Sequence, residues 1–487
     1  MPRAGAHAML RAMERLSPLD ATFLHVEDDV SHMHMGLVGV FEGPPPAHDE
    51  LLAGIESKLH LVPRYRQTVR FLPLATGRPV WVDDPHFQLS YHVRRTALPG
   101  PGGDDELFRL IGRVMSQQLD RARPLWEWWI VEGLEEGRWA LIAKLHHAAA
   151  DGIAGSHMIA RLMDEQRDAP RPDPVPWTPA PEPRQAALVA GAFADRARWA
   201  MGEARRAGGA ARDPRGSLRN AQQMLQGLAA YSGIVRPAAP IALNGPVGPH
   251  RRWVWARAPL SDVKEVRSAF GGTINDVVLA VITCGFRDLL TSRGESTESP
   301  VRSLVPVSVR AQDATGVYDN RVSAMFADLP VAIEDPVERV AAIHDQMTHL
   351  KDTHEAVAGE ALTSLTGFAP EVLLATGGWL ATRAPQRNVN TVTTNVPGPR
   401  VPLFIAGRRM LEAFPYVPLG GHVRCGVAIF SYDGSLGFGV TGDYDTAPDI
   451  AVLSAGIERG MGELVAAARG KGGNGRPAAR RARQRTT

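Results

Sequence analysis

A run of prolines constrains the fold of this chain more than any other feature of its sequence. Seven prolines fall within residues 169–184. Because proline fixes φ and lacks a backbone N–H, such a run can form neither a regular helix nor a central strand. The chain has 487 residues, more than the length at which one hydrophobic core stops growing. We therefore predict two folded domains joined by a linker at this run.

The composition on either side of the linker divides the chain into four predicted parts. They are an N-terminal domain over residues 1–168, a Pro-rich linker and helical crossover over 169–240, a C-terminal domain over 241–468 and a disordered basic tail over 469–487. The crossover is rich in Ala and Arg, which favours helix, and we expect breaks at Gly208-Gly209 and at residues 213–216. The tail cannot build a core, so it is either a solvated end or a basic segment attracted to anionic lipid head groups.

Charge, cysteine content and apolar runs exclude several classes of protein. The 54 Lys and Arg residues nearly balance the 52 Asp and Glu residues, which gives no whole-molecule case for a nucleic-acid partner. Cys284 and Cys425 lie far apart, so we predict separate thiols in a reducing compartment rather than a disulfide or a metal site. The longest apolar run, Val277–Phe286, is about half the roughly 20 residues that span a bilayer. With no secretory signal at the start, we expect a cytoplasmic protein that contacts membranes only peripherally.

Periodicity predicts several buried elements. Ala140–Leu145 is indicative of a buried strand, and the alternation of Trp126, Trp128 and Ile130 predicts one face of another. The elements predicted in the C-terminal half are a helix near Thr273–Leu290 and strands at Ser303–Val309 and Val423–Phe430. These patterns predict a mixed α/β architecture in both halves of the chain.

The residues best suited to chemistry stand where a strand gives way to a helix. After Ala140–Leu145 comes the segment His146–Gly152, with the sequence His-His-Ala-Ala-Ala-Asp-Gly, and then apolar residues at helical spacing. The three alanines place no bulk beside the imidazoles, and the Asp-Gly pair turns the backbone toward the helix. The segment therefore predicts a catalytic loop that an apolar substrate can approach.

Imidazole suits the removal of a hydroxyl proton near neutral pH, because its unperturbed pKa is about 6.5. We predict that His147 is a general base that removes such a proton, and that His146 packs beside it or orients it. The alternative is that both histidines are satisfied core groups. Neither a His-Glu-x-x-His zinc segment nor a Gly-x-Ser-x-Gly elbow is present, which argues against a catalytic zinc ion and against an acyl-serine intermediate.

Asp151 has two candidate roles within the same segment. In one, its carboxylate orients the imidazole of His147, as in hydrolase triads. In the other, which we prefer, it pairs with an arginine and fixes the loop, with Arg123 and Arg310 as candidate partners. Spacing alone does not choose between these arginines.

The His-His-x-x-x-Asp-Gly segment resembles the signature of the bacterial wax ester synthase and acyl-CoA:diacylglycerol acyltransferase family. Further segments resemble family blocks and occur in the family's order: Leu16–Leu24, Trp81–Phe87, Tyr91–Arg94, Arg123–Glu127, Leu243–Pro246, Asn275-Asp276, Pro306–Arg310, Asp319–Val322 and Asn395–Pro399. Counted from His146, the loop also fits the His-x-x-x-x-Asp pattern of membrane glycerol-phosphate acyltransferases, but their Glu-Gly-Thr-Arg block is absent. The ordered set is therefore specific to the first family.

The resemblance implies the fold of CoA-dependent acyltransferases. That fold is α/β, with two chloramphenicol-acetyltransferase-like domains, mixed sheets flanked by helices and an active-site channel at their interface. It implies that His147 is the proton acceptor and that Asn275 and Asp276 lie near the reaction chamber, with Gly152 and Asp276 as substrate-binding candidates. Asn275 then either donates its amide to the developing oxyanion or caps the helix that begins near Asp276.

The resemblance also implies a function in lipid metabolism. The reaction is the synthesis of triacylglycerol from diacylglycerol and acyl-CoA, or of wax esters from long-chain alcohols, with acyl-CoA as a substrate and no separate cofactor. The apolar products imply association with the inner face of a membrane or with lipid droplets. Two alternatives stay open: a condensation-domain or acetyltransferase-like enzyme of the same superfamily, and a non-catalytic lipid-droplet or acyl-CoA-binding protein.

Overall fold

A computed structural model describes residues 14–73, 77–150, 152–212, 238–308, 322–352 and 388–474. The described helices are α1 (Pro18–Val26), α2 (His48–Lys58), α3 (Leu89–His92), α4 (Asp104–Met115), α5 (Gly152–Arg161), α6 (Gln185–Arg212), α7 (Leu260–Phe270), α8 (Ile274–Ser292), α9 (Pro336–Asp352) and α10 (Ile450–Asn474). The strands of the N-terminal half are β1 (His34–Phe41), β2 (Gln67–Arg70), β3 (Val80–Asp83), β4 (Val93–Ala97), β5 (Trp126–Glu132) and β6 (Trp139–His146). Those of the C-terminal half are β7 (Arg251–Pro259), β8 (Val301–Ser308), β9 (Val322–Leu329), β10 (Thr391–Pro397), β11 (Phe404–Ile405), β12 (Arg408–Tyr416), β13 (Cys425–Tyr432) and β14 (Ser435–Asp443).

The first sheet has six strands in the order β11-β12-β1-β6-β5-β4. Strand β1 pairs antiparallel with both β6 and β12, whereas β4 pairs parallel with β5. Every residue of β6 is buried, because apolar clusters pack on both faces of the sheet. The alternating residues Trp126, Trp128 and Ile130 are buried on β5, as the sequence predicted.

Two strands of this sheet come from far along the chain. The sequence analysis placed residues 404–416 in the C-terminal domain, but β11 and β12 join the first sheet through the pairing of β12 with β1. Met410 and Phe414 of β12 are buried there. Pairing between strands more than 300 residues apart leaves no local pattern, so periodicity alone does not reveal it.

The second sheet has the order β7-β14-β13-β10-β8-β9 and packs against a long buried helix. That helix, α8, was predicted at Thr273–Leu290, and Thr273 is its N-cap. Helices α8 and α10 approach closely at Gly285, where an added Cβ would lie 2.5 Å from the Leu453 carbonyl oxygen. Cys284 and Cys425 are separate buried thiols, as predicted. The apolar core of this half is therefore built around α8.

A segment without helix or strand is followed by a helix, as predicted, but one of the two breaks predicted in that helix does not occur. Residues 169–184 form neither helix nor strand. Helix α6 runs without interruption through Gly208-Gly209, since glycine inside a helix costs only about 1 kcal/mol relative to alanine. The break expected at 213–216 lies outside the described residues. Helix α10 continues to Asn474, so the first residues of the predicted tail are helical, and residues 475–487 are not described.

Within the described ranges, no single helix has both the length and the apolar composition needed to cross a bilayer. Helices α7 and α8 meet those criteria only as a pair, and they are bent by 103° relative to each other. Val277 to Phe286 of α8, the longest apolar run of the sequence, lies in the core of the second sheet.

Candidate active site

The predicted catalytic loop leaves the first sheet at the end of β6 and enters α5 at Gly152. Its two histidines face different surroundings: the His146 side chain is fully buried, whereas His147 is half-buried. This is expected where a strand ends, since successive side chains of an extended chain point to opposite sides. The imidazole of His147 stacks on the ring of Phe23 from α1, with centroids 4.3 Å apart.

Three backbone N–H groups fix the shape of the loop. The N–H of His147 donates to the carbonyl oxygen of Met33 at 2.8 Å, and that of Ala149 donates to the His146 carbonyl at 2.9 Å. Between them, the N–H of Ala148 donates to Nδ1 of the His146 ring at 2.9 Å. The main chain that carries His147 is therefore held on both sides.

The hydrogen bond from Ala148 determines the tautomer of His146. Because Nδ1 accepts a proton-bearing N–H, the ring hydrogen of neutral His146 sits on Nε2. Nε2 lies 3.3 Å from Oε2 of Glu27, a close approach of a ring nitrogen to a carboxylate that does not form a hydrogen bond. His146 is thus fully buried, with Nδ1 hydrogen-bonded to the Ala148 N–H and Nε2 facing Glu27.

Glu27 is the centre of a buried polar cluster behind the loop, and its side chain is 2% exposed. Its carboxylate lies 3.1 Å from Nε2 of His34 and accepts a hydrogen bond from Nε of Arg121 at 2.9 Å. Burial tends to raise the pKa of Glu27, but its contacts with His146 and His34 outweigh burial and hold the pKa well below the usual range. Burial and then the nearby Lys144 charge hold the pKa of His34 far below its ordinary value. The cluster therefore carries an ionised carboxylate beside the neutral imidazole of His34.

Sequence reasoning missed this cluster. Glu27 follows the last turn of α1, where an acidic residue usually faces solvent, and His34 begins a strand whose other residues are apolar or small. Arg121 is 94 residues away from Glu27. No local pattern links the three, so only the tertiary fold shows that they meet.

Asn275 and Asp276 stand in the first turn of α8. The helix is capped by Thr273, whose Oγ1 accepts from the Asp276 N–H at 3.2 Å, so the alternative that Asn275 is the N-cap is wrong. Asn275 is half-buried, and its Oδ1 accepts from Nδ2 of Asn395 at 3.4 Å. Because the Oδ1 of Asn275 makes the contact with Asn395, its Nδ2 hydrogens are directed away from Asn395.

The carboxylate of Asp276 supports the start of the helix. Its Oδ2 accepts from the backbone N–H of Thr273 at 2.8 Å and lies 2.8 Å from Nδ1 of His344. Asp276 is only 1% exposed. These contacts give it a capping role, and a direct contact with substrate stays a prediction.

The loop and the Asn-Asp turn are connected through β10. A Cβ added to Gly152 would lie 3.2 Å from Cγ2 of Val396, so the first turn of α5 packs directly on this strand. The preceding residue, Asn395, is the one that contacts Asn275. Three segments that are distant in sequence therefore lie next to one another.

Of the two arginines predicted as partners of Asp151, the structure describes only Arg123. Asp151 and Arg310 lie outside the described residues. Arg123 lies 3.3 Å from Asp120, and its guanidinium stacks over the ring of Tyr91 at 4.0 Å. The arginine partner of Asp151 thus stays a prediction.

Comparison with known proteins identifies a family over most of the chain. The model described as the wax ester synthase/diacylglycerol acyltransferase catalytic domain matches residues 16–278, and the WS/DGAT C-terminal domain matches residues 318–465. A probable diacylglycerol O-acyltransferase of Mycobacterium tuberculosis is 40% identical over 465 residues, which cover 93% of this chain and 96% of that protein. The matches span both halves of the fold.

Solved structures give the same result. The wax ester synthase/diacylglycerol acyltransferase from Marinobacter aquaeolei has a TM-score of 0.65 and 25% identity, covering 93% of this chain and 100% of its own. The first condensation domain of the calcium-dependent antibiotic synthetase has a TM-score of 0.59 at 16% identity, covering 93% and 96% of the two chains. The second likeness concerns the fold alone. Together they confirm the predicted two-domain α/β architecture.

Proposed function

Because this chain belongs to the wax ester synthase/diacylglycerol acyltransferase family, we propose that it esterifies diacylglycerol with the acyl group of a long-chain acyl-CoA. The products are triacylglycerol and free CoA. A long-chain alcohol is the other acceptor that the family implies, and it would give a wax ester. We favour diacylglycerol because the 40% identical mycobacterial relative is named as a diacylglycerol O-acyltransferase.

In the proposed reaction, the acceptor hydroxyl oxygen attacks the thioester carbonyl carbon while His147 removes the hydroxyl proton. The tetrahedral intermediate then collapses, the C–S bond breaks, and the imidazolium returns the proton to the departing CoA sulfur. The new C–O bond replaces the C–S bond, and His147 ends in its starting state. No covalent acyl-enzyme is required.

The observation that carries this assignment is the contrast between the two histidines. His146 is sealed in the core, and both of its ring nitrogens face fixed protein partners. His147 is half-buried, lies beside Ala149 and Ala150, and stacks on Phe23. This greater exposure supports His147, rather than His146, as the imidazole that meets a substrate.

Asn275 is the proposed oxyanion donor. Its Oδ1 is held by Asn395, which orients the amide and leaves the Nδ2 hydrogens for a developing negative charge. Because Asn395 precedes Val396, which packs on Gly152, the amide lies close to the loop that carries His147. This arrangement supports a donor and a base on adjacent segments.

Thiol release tests the assignment of the base. Purified protein is incubated with palmitoyl-CoA and either diacylglycerol or hexadecanol, and alcohol-dependent release of CoA thiol is followed. Loss of a general base should lower the rate of the His147→Ala variant by about 10² to 10⁴. His157→Ala is the matched control, since His157 is an exposed histidine on the helix that follows the loop. A His147→Ala rate close to that of the unmodified protein would remove the proposed base.

We further propose that the enzyme works at a lipid surface through α6. One face of this helix is buried by Leu188 and Ala192, which pack against Leu72 and strand β3. A neighbouring face exposes Phe193 and Met201, which are 59% and 53% exposed, beside Arg198, which is exposed and pairs with Asp195. Exposed apolar side chains flanked by arginine suit contact with an anionic membrane or the surface of a lipid droplet.

Vesicle flotation tests this surface. Vesicles of phosphatidylcholine and phosphatidylglycerol should carry the protein upward in a density gradient. The double variant Phe193→Ser and Met201→Ser should bind the vesicles at least about tenfold more weakly, because burying each such side chain contributes about 1.5–3 kcal/mol. Leu411→Ser, which removes an exposed apolar residue of β12, is the control. Unchanged flotation of the double variant would exclude α6 as the contact.

A further inference from the structure

Glu27 touches the catalytic loop from behind by two separate routes. Through its Oε2 it faces Nε2 of His146 at 3.3 Å, and Nδ1 of the same ring accepts the N–H of Ala148. Through its Oε1 it accepts the N–H of Met33 at 3.2 Å, and the carbonyl of Met33 accepts the N–H of His147 at 2.8 Å. The N–H groups of His147 and Ala148, which flank the His147 Cα, are thus both held by residues that Glu27 contacts.

We propose that Glu27 is a positioning residue, which fixes the main chain at His147 and so aims the imidazole at the substrates. The inference rests on the proposed function of His147 as the base. Glu27 itself reaches no substrate, since its side chain is 2% exposed and lies behind the loop. Its effect on the reaction is carried by His146 and by the Met33 peptide.

The surroundings of Glu27 keep its charge in place. An ionised carboxylate is costly to bury unless it is paired and hydrogen-bonded. Nε of Arg121 donates to it at 2.9 Å, and Nη2 of the same arginine makes a second bond. His34 supplies a further contact at 3.1 Å. A charge that is held this firmly has few alternative arrangements, which is what a positioning group requires.

The sensitivity of general-base catalysis to geometry gives the size of the effect. A displacement of about 1 Å at a reacting group can lower the rate about 10²-fold. If the amide of Glu27→Gln replaces the carboxylate, the charge that attracts Nε2 of His146 is lost while the side-chain shape is kept. The loop can then rotate about the contact between the Ala148 N–H and the His146 ring.

The test compares Glu27→Gln with Glu127→Gln. Glu127 is likewise a buried carboxylate; it lies on β5 and pairs with Arg94 at 2.9 Å, but none of its described contacts reaches the loop. We expect Glu27→Gln to lower kcat about 10- to 100-fold with an unchanged KM for palmitoyl-CoA. Glu127→Gln should keep kcat near that of the unmodified protein. A folded Glu27→Gln protein with unmodified kcat would overturn the proposal.

A second variant separates positioning from general structural support. In His146→Asn, Oδ1 of the asparagine can still accept the Ala148 N–H, but the contact with Glu27 is lost. Because His146 lies on one of the two routes from Glu27 to the loop, the double variant with Glu27→Gln should lose less kcat than the product of the two single losses. Fully multiplicative losses would overturn the inference that Glu27 positions the loop through His146. His146→Asn also tests the route if Glu27→Gln does not fold.

The failure of this inference can be told apart from failure of the proposed function. His147→Ala is measured in the same assay. If His147→Ala keeps its rate, the base assignment is wrong, and Glu27 has nothing to position. If His147→Ala is inactive while Glu27→Gln is fully active, only the role of Glu27 is wrong.

Discussion

The loop that carries His147 and the helix that carries Asn275 are built in opposite ways. Behind the loop lies a buried polar cluster in which Glu27 meets His34, His146 and Arg121. Behind the Asn275 turn lies α8, whose buried residues are almost all apolar. One side of the proposed site is therefore backed by charge and hydrogen bonds, whereas the helix behind the other side is held in the core by apolar packing.

This difference predicts which substitutions change the rate and which change the stability. Charge-altering changes near the loop should act on kcat, because the fold has ample apolar packing on both faces of the first sheet. Changes of shape in α8 should act on the free energy of unfolding, because close-packed helices tolerate little extra volume.

On the α8 side, the largest effect on the rate is expected at Asn275, the proposed oxyanion donor. Asn275→Ala should lower kcat by about 10² to 10³, since a single oxyanion donor typically contributes that much. Its stability should change little, because the cap of α8 belongs to Thr273. The measurement is thiol release together with chemical denaturation of the same sample.

Asn390→Ala sharpens the contrast. Asn390 is a buried asparagine of the same half, and it donates to Ala239 and Asn244 rather than facing the site. Its removal should lower stability and leave kcat per folded molecule unchanged. If Asn275→Ala instead behaves like Asn390→Ala, with normal turnover and lower stability, Asn275 is a structural residue.

A smaller effect, confined to stability, is expected where α8 meets α10. The added methyl of Gly285→Ala would lie 2.5 Å from the Leu453 carbonyl oxygen, so the helices must separate. Overpacking of this kind costs about 1–3 kcal/mol, measured by urea unfolding. Gly462→Ala on α10 is the matched control, because nothing lies within 4 Å of its added methyl. Equal unfolding midpoints for the two variants would contradict the packing account.

The sequence predicted the local elements of this molecule well. The strand before His146, the helix after Gly152 and the helix α8 all follow from hydrophobic periodicity, and the structure confirms them. It did not predict the placement of β12 beside β1, which depends on pairing between distant strands. Periodicity reports which residues are buried, not which element they are buried against.

The same distinction holds for the candidate site. The adjacent histidines could be singled out from their spacing and neighbours, but which of the two side chains is less buried depends on how the strand ends in the fold. Glu27 could not be found, because its meaning comes from His146, Arg121 and the Met33 peptide, which the fold brings together. Residues that act through others leave little trace in a single sequence.

The most direct test of the central claim is a crystal structure of the enzyme with a non-hydrolysable acyl-CoA analogue and a bound alcohol. If His147 is the base, the alcohol oxygen will lie about 2.6–3.2 Å from a ring nitrogen of His147, or one water away. His146 should stay sealed between Glu27 and Ala148. An alcohol bound out of reach of His147, with that ring enclosed by protein, would contradict the account.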